Sequence, residues 1–293
     1  MQEVKAFSGQ RAQLAECPLW EPREQALYWV DIDGRALHRR RMDGSDQETW
    51  KLPAEPGCIA RAADGLVLAM RTGIFHFDTG SGRLRQLAAA PYDTSVQRFN
   101  DGRCDAKGRL WVGTIHEPRD GPHATLYCFE NGRLRDAGLH VTVSNGLAFA
   151  PDSKTMYHAD TKAHVVRAYP FDDASGSLGT PRVLHQFAAE RGPAYGGRPD
   201  GAAVDQDGNY WIAMYEGGCL LQLSPSGELL DKRLLPVRCP TMPAFGGEDM
   251  QTLFVTSASH GRSAEELAQF PQSGQVLSMR APCCGRPEPL CRI

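Results

Sequence analysis

Glu16, Asn100, Asn145 and Asp200 each stand nine to eleven residues ahead of a similar aromatic-rich apolar run. The runs are Leu27–Asp31, Arg109–Thr114, Thr155–Asp160 and Tyr210–Tyr215. In a repeat, equal phase means equal position in space, and repeats set around an axis bring residues of one phase to that axis. Four hard oxygen donors converging in this way describe a cation site. Asn100-Asp101-Gly102, Asn145-Gly146 and Asp200-Gly201 also suit Asx-turns. Turn chemistry alone, however, does not call for Glu16 at the matching phase of the first repeat.

The elements that must hold these donors follow from the rest of the repeat. Leu66–Arg71 and Thr252–Ser257 have the same character, which gives six runs starting at 27, 66, 109, 155, 210 and 252. Intervals of 39 to 55 residues match the length of a propeller blade. A turn precedes each run, as at Asp64-Gly65, Lys107-Gly108 and Asp207-Gly208, and a short apolar stretch precedes each turn, so each pair reads as a hairpin. Further strands follow in each unit, for example Gly73–Phe77 and Val165–Tyr169. The expected fold is all-β: a single six-bladed β-propeller domain over residues 1–293, with the donors at the start of the innermost strands. The corresponding positions of blades two and six are Pro56 and Met242, which donate nothing. The longest interval contains an insertion, residues 187–197, which reads equally as a rim or lid beside Asp200 and as a tolerated surface loop. Only Ser263–Gln269 suggests a helix, and it is short.

Composition narrows the class. With 41% hydrophobic and 23% charged residues, the chain can bury a large core, and a net charge of −3 leaves no electrostatic footprint for nucleic acid. Arg39-Arg40-Arg41 is followed by Asp43 and Asp46 and reads as a solvated strand end. No apolar stretch approaches the ~20 residues of a membrane span. Charges near the N-terminus and nine scattered cysteines without a C-x-x-C pair point to a cytoplasmic protein with reduced thiols. Cys17, beside Glu16, reads as a small apolar filler.

Rival motifs are missing: there is no G-x-S-x-G elbow, H-E-x-x-H pair or P-loop. Asp205–Glu216 imitates part of an EF-hand, but Tyr210 stands where that loop needs glycine, so a hairpin turn is expected. His38, His76, His158 and His260 share no spacing and read as ordinary strand or loop histidines.

Ala15–Trp20, Arg98–Gly102 followed by Gly108–Thr114, Ser144-Asn145-Gly146, and Pro199-Asp200-Gly201 followed by Gly208–Ala213 together resemble the regucalcin/gluconolactonase (senescence marker protein) family. Phe245-Gly246-Gly247 and Leu253–Thr256 extend the resemblance into the last blade. It implies a six-bladed propeller with Glu16, Asn145 and Asp200 as ligands of one divalent metal ion and Asn100 close to metal and substrate. It further implies that Arg98 and Glu117 bind substrate and that Asp200 is the general base. Cys17 departs from the small Ser or Gly usual in the family.

Two carboxylates and an amide oxygen suit Ca²⁺, Mg²⁺ or Mn²⁺, with Zn²⁺ less favoured in a set lacking His and Cys. A cation there can polarise a lactone carbonyl, and Asp200 or the cation itself can activate water. The expected activity is metal-dependent opening of a small-molecule sugar lactone to its aldonic acid. Two other readings stay open: a non-catalytic calcium-binding regulatory propeller, and an esterase or organophosphate hydrolase. Arg98, Asn100 and Glu117 favour a substrate bearing hydroxyl groups.

Overall fold

The second strand of every blade is a run of large apolar side chains buried on both faces. Ala26–Asp31, Tyr210–Tyr215 and their counterparts lie inside a sheet that is itself packed between two neighbouring sheets. This explains why these runs do not alternate with polar residues as a half-exposed strand would. The structure, a computed structural model describing residues 3–293, arranges six antiparallel sheets in a ring. The innermost strands are Ala15–Glu21, Pro56–Ala62, Gln97–Cys104, Ser144–Phe149, Arg198–Val204 and Pro240–Gly246. Outermost strands such as Gln47–Lys51 and Leu229–Leu234 are largely exposed and carry lysine or arginine, which discourages edge-to-edge pairing.

Ring closure joins the two ends of the chain. Lys5–Ala6 pairs with Leu277–Arg280 to supply the fourth strand of the sixth sheet. A six-residue helix, Ala264–Gln269, lies between the second and third strands of that blade, capped by the Ser263 side chain on the amide of Glu266. The C-terminal segment crosses the far ends of the innermost strands. The amides of Cys291 and Arg292 donate to the carbonyls of Arg61 and Gly108, and the Glu288 carboxylate pairs with Arg103.

Recurring carboxylates fix the hairpins. Asp205 accepts the amides of Asp207 and Asn209 and the indole N–H of Trp211, and Asp105 does the same for Lys107, Arg109 and Trp111. The segment resembling an EF-hand is thus a hairpin turn, as expected. At the other end of the sheets, Asp31 holds the amides of Gln13, Leu14 and Gly34, while Asp160 holds those of Thr142, Val143 and Lys162. Both tie down loops on the face where the innermost strands begin.

All six innermost strands break register near their start, between Glu16 and Leu19, Pro56 and Cys58, Phe99 and Gly102, Asn145 and Ala148, Pro199 and Ala202, and Pro240 and Pro243. A bulge frees a residue from the pleat and re-aims its side chain. The Asn/Asp-to-Gly pattern has its physical reason here, since the bulge brings neighbouring blades into backbone contact. A Cβ on Gly201 would sit 2.5 Å from Cβ of Met242, and one on Gly146, at φ +59°, would overlap the Tyr210 hydroxyl. These positions are bulges within strands rather than the Asx-turns that the same residues also suit.

Candidate active site

The bulges deliver Glu16, Arg98, Asn100, Asn145 and Asp200 to one end of the channel. There, with Glu117 from the end of the neighbouring strand, they line a single cavity of about 580 Å³. All six residues singled out from sequence therefore meet. Blades two and six add no donor from their bulges, since Pro56 and Met242 are buried.

A directed chain of hydrogen bonds crosses the floor from blade three to blade five. Arg98 is buried, and its Nη1 donates to the Phe99 carbonyl at 3.0 Å and to Asn100 Oδ1 at 2.8 Å. Asn100 Nδ2 donates to the Ser144 carbonyl at 2.9 Å and to Asn145 Oδ1 at 3.0 Å. Asn145 Nδ2 donates to Thr161 Oγ1 at 2.8 Å, and that hydroxyl donates to the Pro199 carbonyl, also at 2.8 Å. Each amide is thereby fixed in orientation, and Asn145 turns its oxygen toward Asn100 with one lone pair to spare. Asn100 lines the cavity with both amide atoms engaged, so it joins Arg98 to Asn145.

The two carboxylates lack comparable support. Glu16 accepts only the amide of Cys17, at 3.1 Å, and among the described residues none donates a hydrogen bond to the Asp200 carboxylate. Burial pushes Asp200 up to about 8, with the charge of Asp101 adding to it. Burial also raises Glu16 well above the carboxylate range, and Asp200 and Asp101 push it further. A half-buried Glu16 with one backbone donor and a buried Asp200 with none fit a hard cation, which would supply the missing opposite charge. Among the described residues no group of three His, Cys, Asp or Glu gathers, so the candidate donors are two carboxylates and the Asn145 oxygen.

Glu117 forms a two-bond pair with Arg71, at 2.7 and 3.2 Å, and stands 4.0 Å from Arg98 Nε. Those Arg71 bonds hold its carboxyl below the usual range. Asp101, between Asn100 and Gly102, escaped the sequence reading. It is buried, accepts the amide of Leu147 at 2.8 Å, leaves Oδ1 unpartnered, and is pushed by burial up to about 6. Arg71, Arg119, Lys162, Arg198, Tyr215 and Arg262 also line the cavity. Most of them come from loops or strand ends outside the repeat phase, so spacing carried no signal for them. The 187–197 insertion lies at the same rim, where Arg191 Nη2 and the Tyr195 hydroxyl each donate to Glu216 at 2.9 Å.

Ser144 Oγ and His158 Nε2 lie 2.7 Å apart, but both residues are almost wholly buried. Burial lowers His158 to about 3, which keeps its ring neutral behind the Asn145 strand. All nine cysteines are unpaired, and Cys17 is a buried filler whose thiol donates to the Ile59 carbonyl.

Residues 14–259 match the family model described as the SMP-30/Gluconolactonase/LRE-like region. The chain belongs to that family. Within it, the chain is 46% identical to a 6-deoxy-6-sulfogluconolactonase of Pseudomonas putida, over 98% of both chains. It is 34% identical to an L-arabinolactonase of Azospirillum brasilense, covering 91% of this chain and 88% of that one. The crystal structure of a calcium-binding protein, regucalcin, from Agrobacterium tumefaciens superposes with a TM-score of 0.94 at 26% identity, covering 100% and 98% of the two chains. The family is thus met on this same six-bladed ring. Among the described residues, no helix is long and apolar enough to cross a membrane.

Proposed function

We propose that the chain works as one domain and is a lactonase, opening the ring of a sugar lactone with the aid of one divalent cation held by Glu16, Asn145 and Asp200. The observation that carries this reading is the floor of the cavity. Two carboxylates, Asp200 with no hydrogen-bond donor among the described residues and Glu16 with only the Cys17 amide, stand beside a fixed chain of donors from Arg98 through Asn100 to Asn145. Relatives named as lactonases of sugar acids, matching over nearly their whole length, support the same class. The calcium-binding regucalcin supports a hard cation.

When bound, the cation would polarise the lactone carbonyl and offset the negative charge that grows on its oxygen. Asp200 would take the proton of the attacking water through the carboxylate oxygen left free of the cation. Arg98, held in place by Asn100, presents its remaining N–H groups to ring hydroxyls. Glu117, fixed by Arg71, offers an acceptor for another hydroxyl. Substrate hydroxyls thus set the ring against Asp200.

The test is hydrolysis of several aldono-1,4- and 1,5-lactones by the purified protein, before chelation, after it, and after return of Ca²⁺, Mg²⁺, Mn²⁺ or Zn²⁺. Hydrolysis that disappears with the metal and returns with it is expected. Tight cation binding without hydrolysis of any lactone would instead make the protein a binding propeller.

A further inference from the structure

The cavity is electrically lopsided. On the side built by the first three blades, the carboxylates of Glu16, Asp33, Glu55 and Glu117 outnumber the cations of Arg71, Arg98 and Arg119. Arg71 pairs with both Glu55 and Glu117, and Asp33 lies 2.9 Å from the ring of His260, which comes from the sixth blade. The wall formed by blades four to six carries Lys162, Arg198 and Arg262, and Asp200 is its one lining carboxylate. Among the described residues no carboxylate pairs with Lys162. Glu216, behind the wall, is shared by Arg191 at 2.9 Å, Arg198 at 3.4 Å and Arg262 at 3.7 Å. Glu266 adds one contact to Arg262, at 3.6 Å. Positive charge therefore remains in excess on this wall.

The two arginines are also held for binding rather than left loose. Their guanidinium groups lie over the ring of Tyr215, at 5.1 Å for Arg198 and 6.0 Å for Arg262. Both Nε–H groups are buried without a hydrogen-bond partner. Guanidinium planes fixed in this way suit a tetrahedral or planar oxyanion, to which the terminal N–H groups of arginine can give paired hydrogen bonds. A cavity of about 580 Å³ also has room for a substituent beyond the bare lactone ring.

We propose that Lys162, Arg198 and Arg262 form an anion subsite that selects lactones bearing a second, ionised group, such as a sulfonate, phosphate or carboxylate, remote from the lactone carbonyl. As a statement about substrate, this rests on the lactonase reading; as a statement about binding, it stands alone. The ionised group lies between the two guanidinium planes with the Lys162 ammonium at its side, and the lactone carbonyl reaches Glu16 and Asp200. A neutral sugar lactone leaves this wall to water.

The experiment compares wild type, Arg262→Gln and Arg262→Lys on glucono-1,5-lactone and on its 6-phosphate and 6-sulfonate counterparts. Calorimetry with 6-phosphogluconate and with gluconate runs alongside. Wild type is expected to favour an ionised lactone in kcat/KM by on the order of tenfold or more, the worth of one charge-assisted hydrogen bond. Arg262→Gln should remove most of that ratio and Arg262→Lys should restore part of it. The difference between phosphate and sulfonate identifies the favoured anion. An unchanged ratio in Arg262→Gln, or equal binding of 6-phosphogluconate and gluconate by wild type, overturns the subsite. If no lactone is hydrolysed while 6-phosphogluconate still binds selectively through Arg262, the lactonase reading fails and the subsite stands.

Discussion

Replacing Arg98 with alanine separates a polyol-binding site from a bare cation site. Arg98 is buried at the cavity floor, where Nη1 serves the Phe99 carbonyl and Asn100 Oδ1, and its proposed role gives the rest of the fork to a lactone's hydroxyls. A charged hydrogen bond of this kind contributes about 1.5–3 kcal/mol, so its removal should lower kcat/KM on an aldonolactone by roughly ten- to hundredfold. The truncation also strips Asn100 Oδ1 of its Arg98 donor, which costs about 1–3 kcal/mol of stability and should lower the melting temperature. An aryl ester without hydroxyls should lose far less rate, and cation affinity should hardly move because Arg98 donates no electron pair. The assay is steady-state hydrolysis of one aldonolactone and one aryl ester by wild type, Arg98→Ala and Arg98→Lys, with cation titrations of each. Lysine keeps the charge but not the fork, so it should recover stability better than lactone turnover. Equal losses on both substrates in a folded Arg98→Ala protein would refute the reasoning.

Three further outcomes are expected. Asp200→Asn should abolish most turnover and weaken cation binding while the ring stays folded, as melting curves and cation titration would show; a folded variant with full activity removes both roles from Asp200. Because burial raises Asp200 to about 8, the unfolded chain ionises first, so this group makes the metal-free protein less stable as pH rises from about 4 to about 8. A cation competes with that proton, so the gain in melting temperature from saturating Ca²⁺ should widen between pH 5.5 and 8, and a constant gain across that range contradicts the raised proton affinity. Gly57→Ala places a Cβ against the Phe99 carbonyl oxygen, with the Asn100 carbonyl 2.7 Å away. Overpacking of this sort costs about 1–3 kcal/mol, and chemical denaturation showing no loss would mean that the blades separate more easily than their packing suggests.

Spacing alone made the ring and its donors legible. Six aromatic-rich runs at blade-length intervals set the number of sheets, and the shared phase of Glu16, Asn100, Asn145 and Asp200 set their common end of the channel. Arg98 and Glu117 entered through resemblance, and both line the same cavity. Repeats are readable in this way because each blade solves the same packing problem with the same pattern of side chains. Ring closure by Lys5–Ala6 carried no such signal, since two residues pairing with a strand more than 270 positions later have no periodicity.

The chain's own sequence thus determined the blade count, the donor types and the residues that meet at the channel. Tertiary structure alone decided how they are used. The register breaks at the donors bring neighbouring blades together, as at Gly146 against Tyr210 and Gly201 against Met242, contacts between residues far apart in the chain. The raised proton affinities of Glu16 and Asp200 come from burial and from neighbouring carboxylates, Asp200 and Asp101 acting on Glu16 and Asp101 on Asp200, and the cationic wall of Lys162, Arg198 and Arg262 assembles from three different blades. Burial and electrostatic fields depend on distances through space, and those distances exist only once the ring has closed.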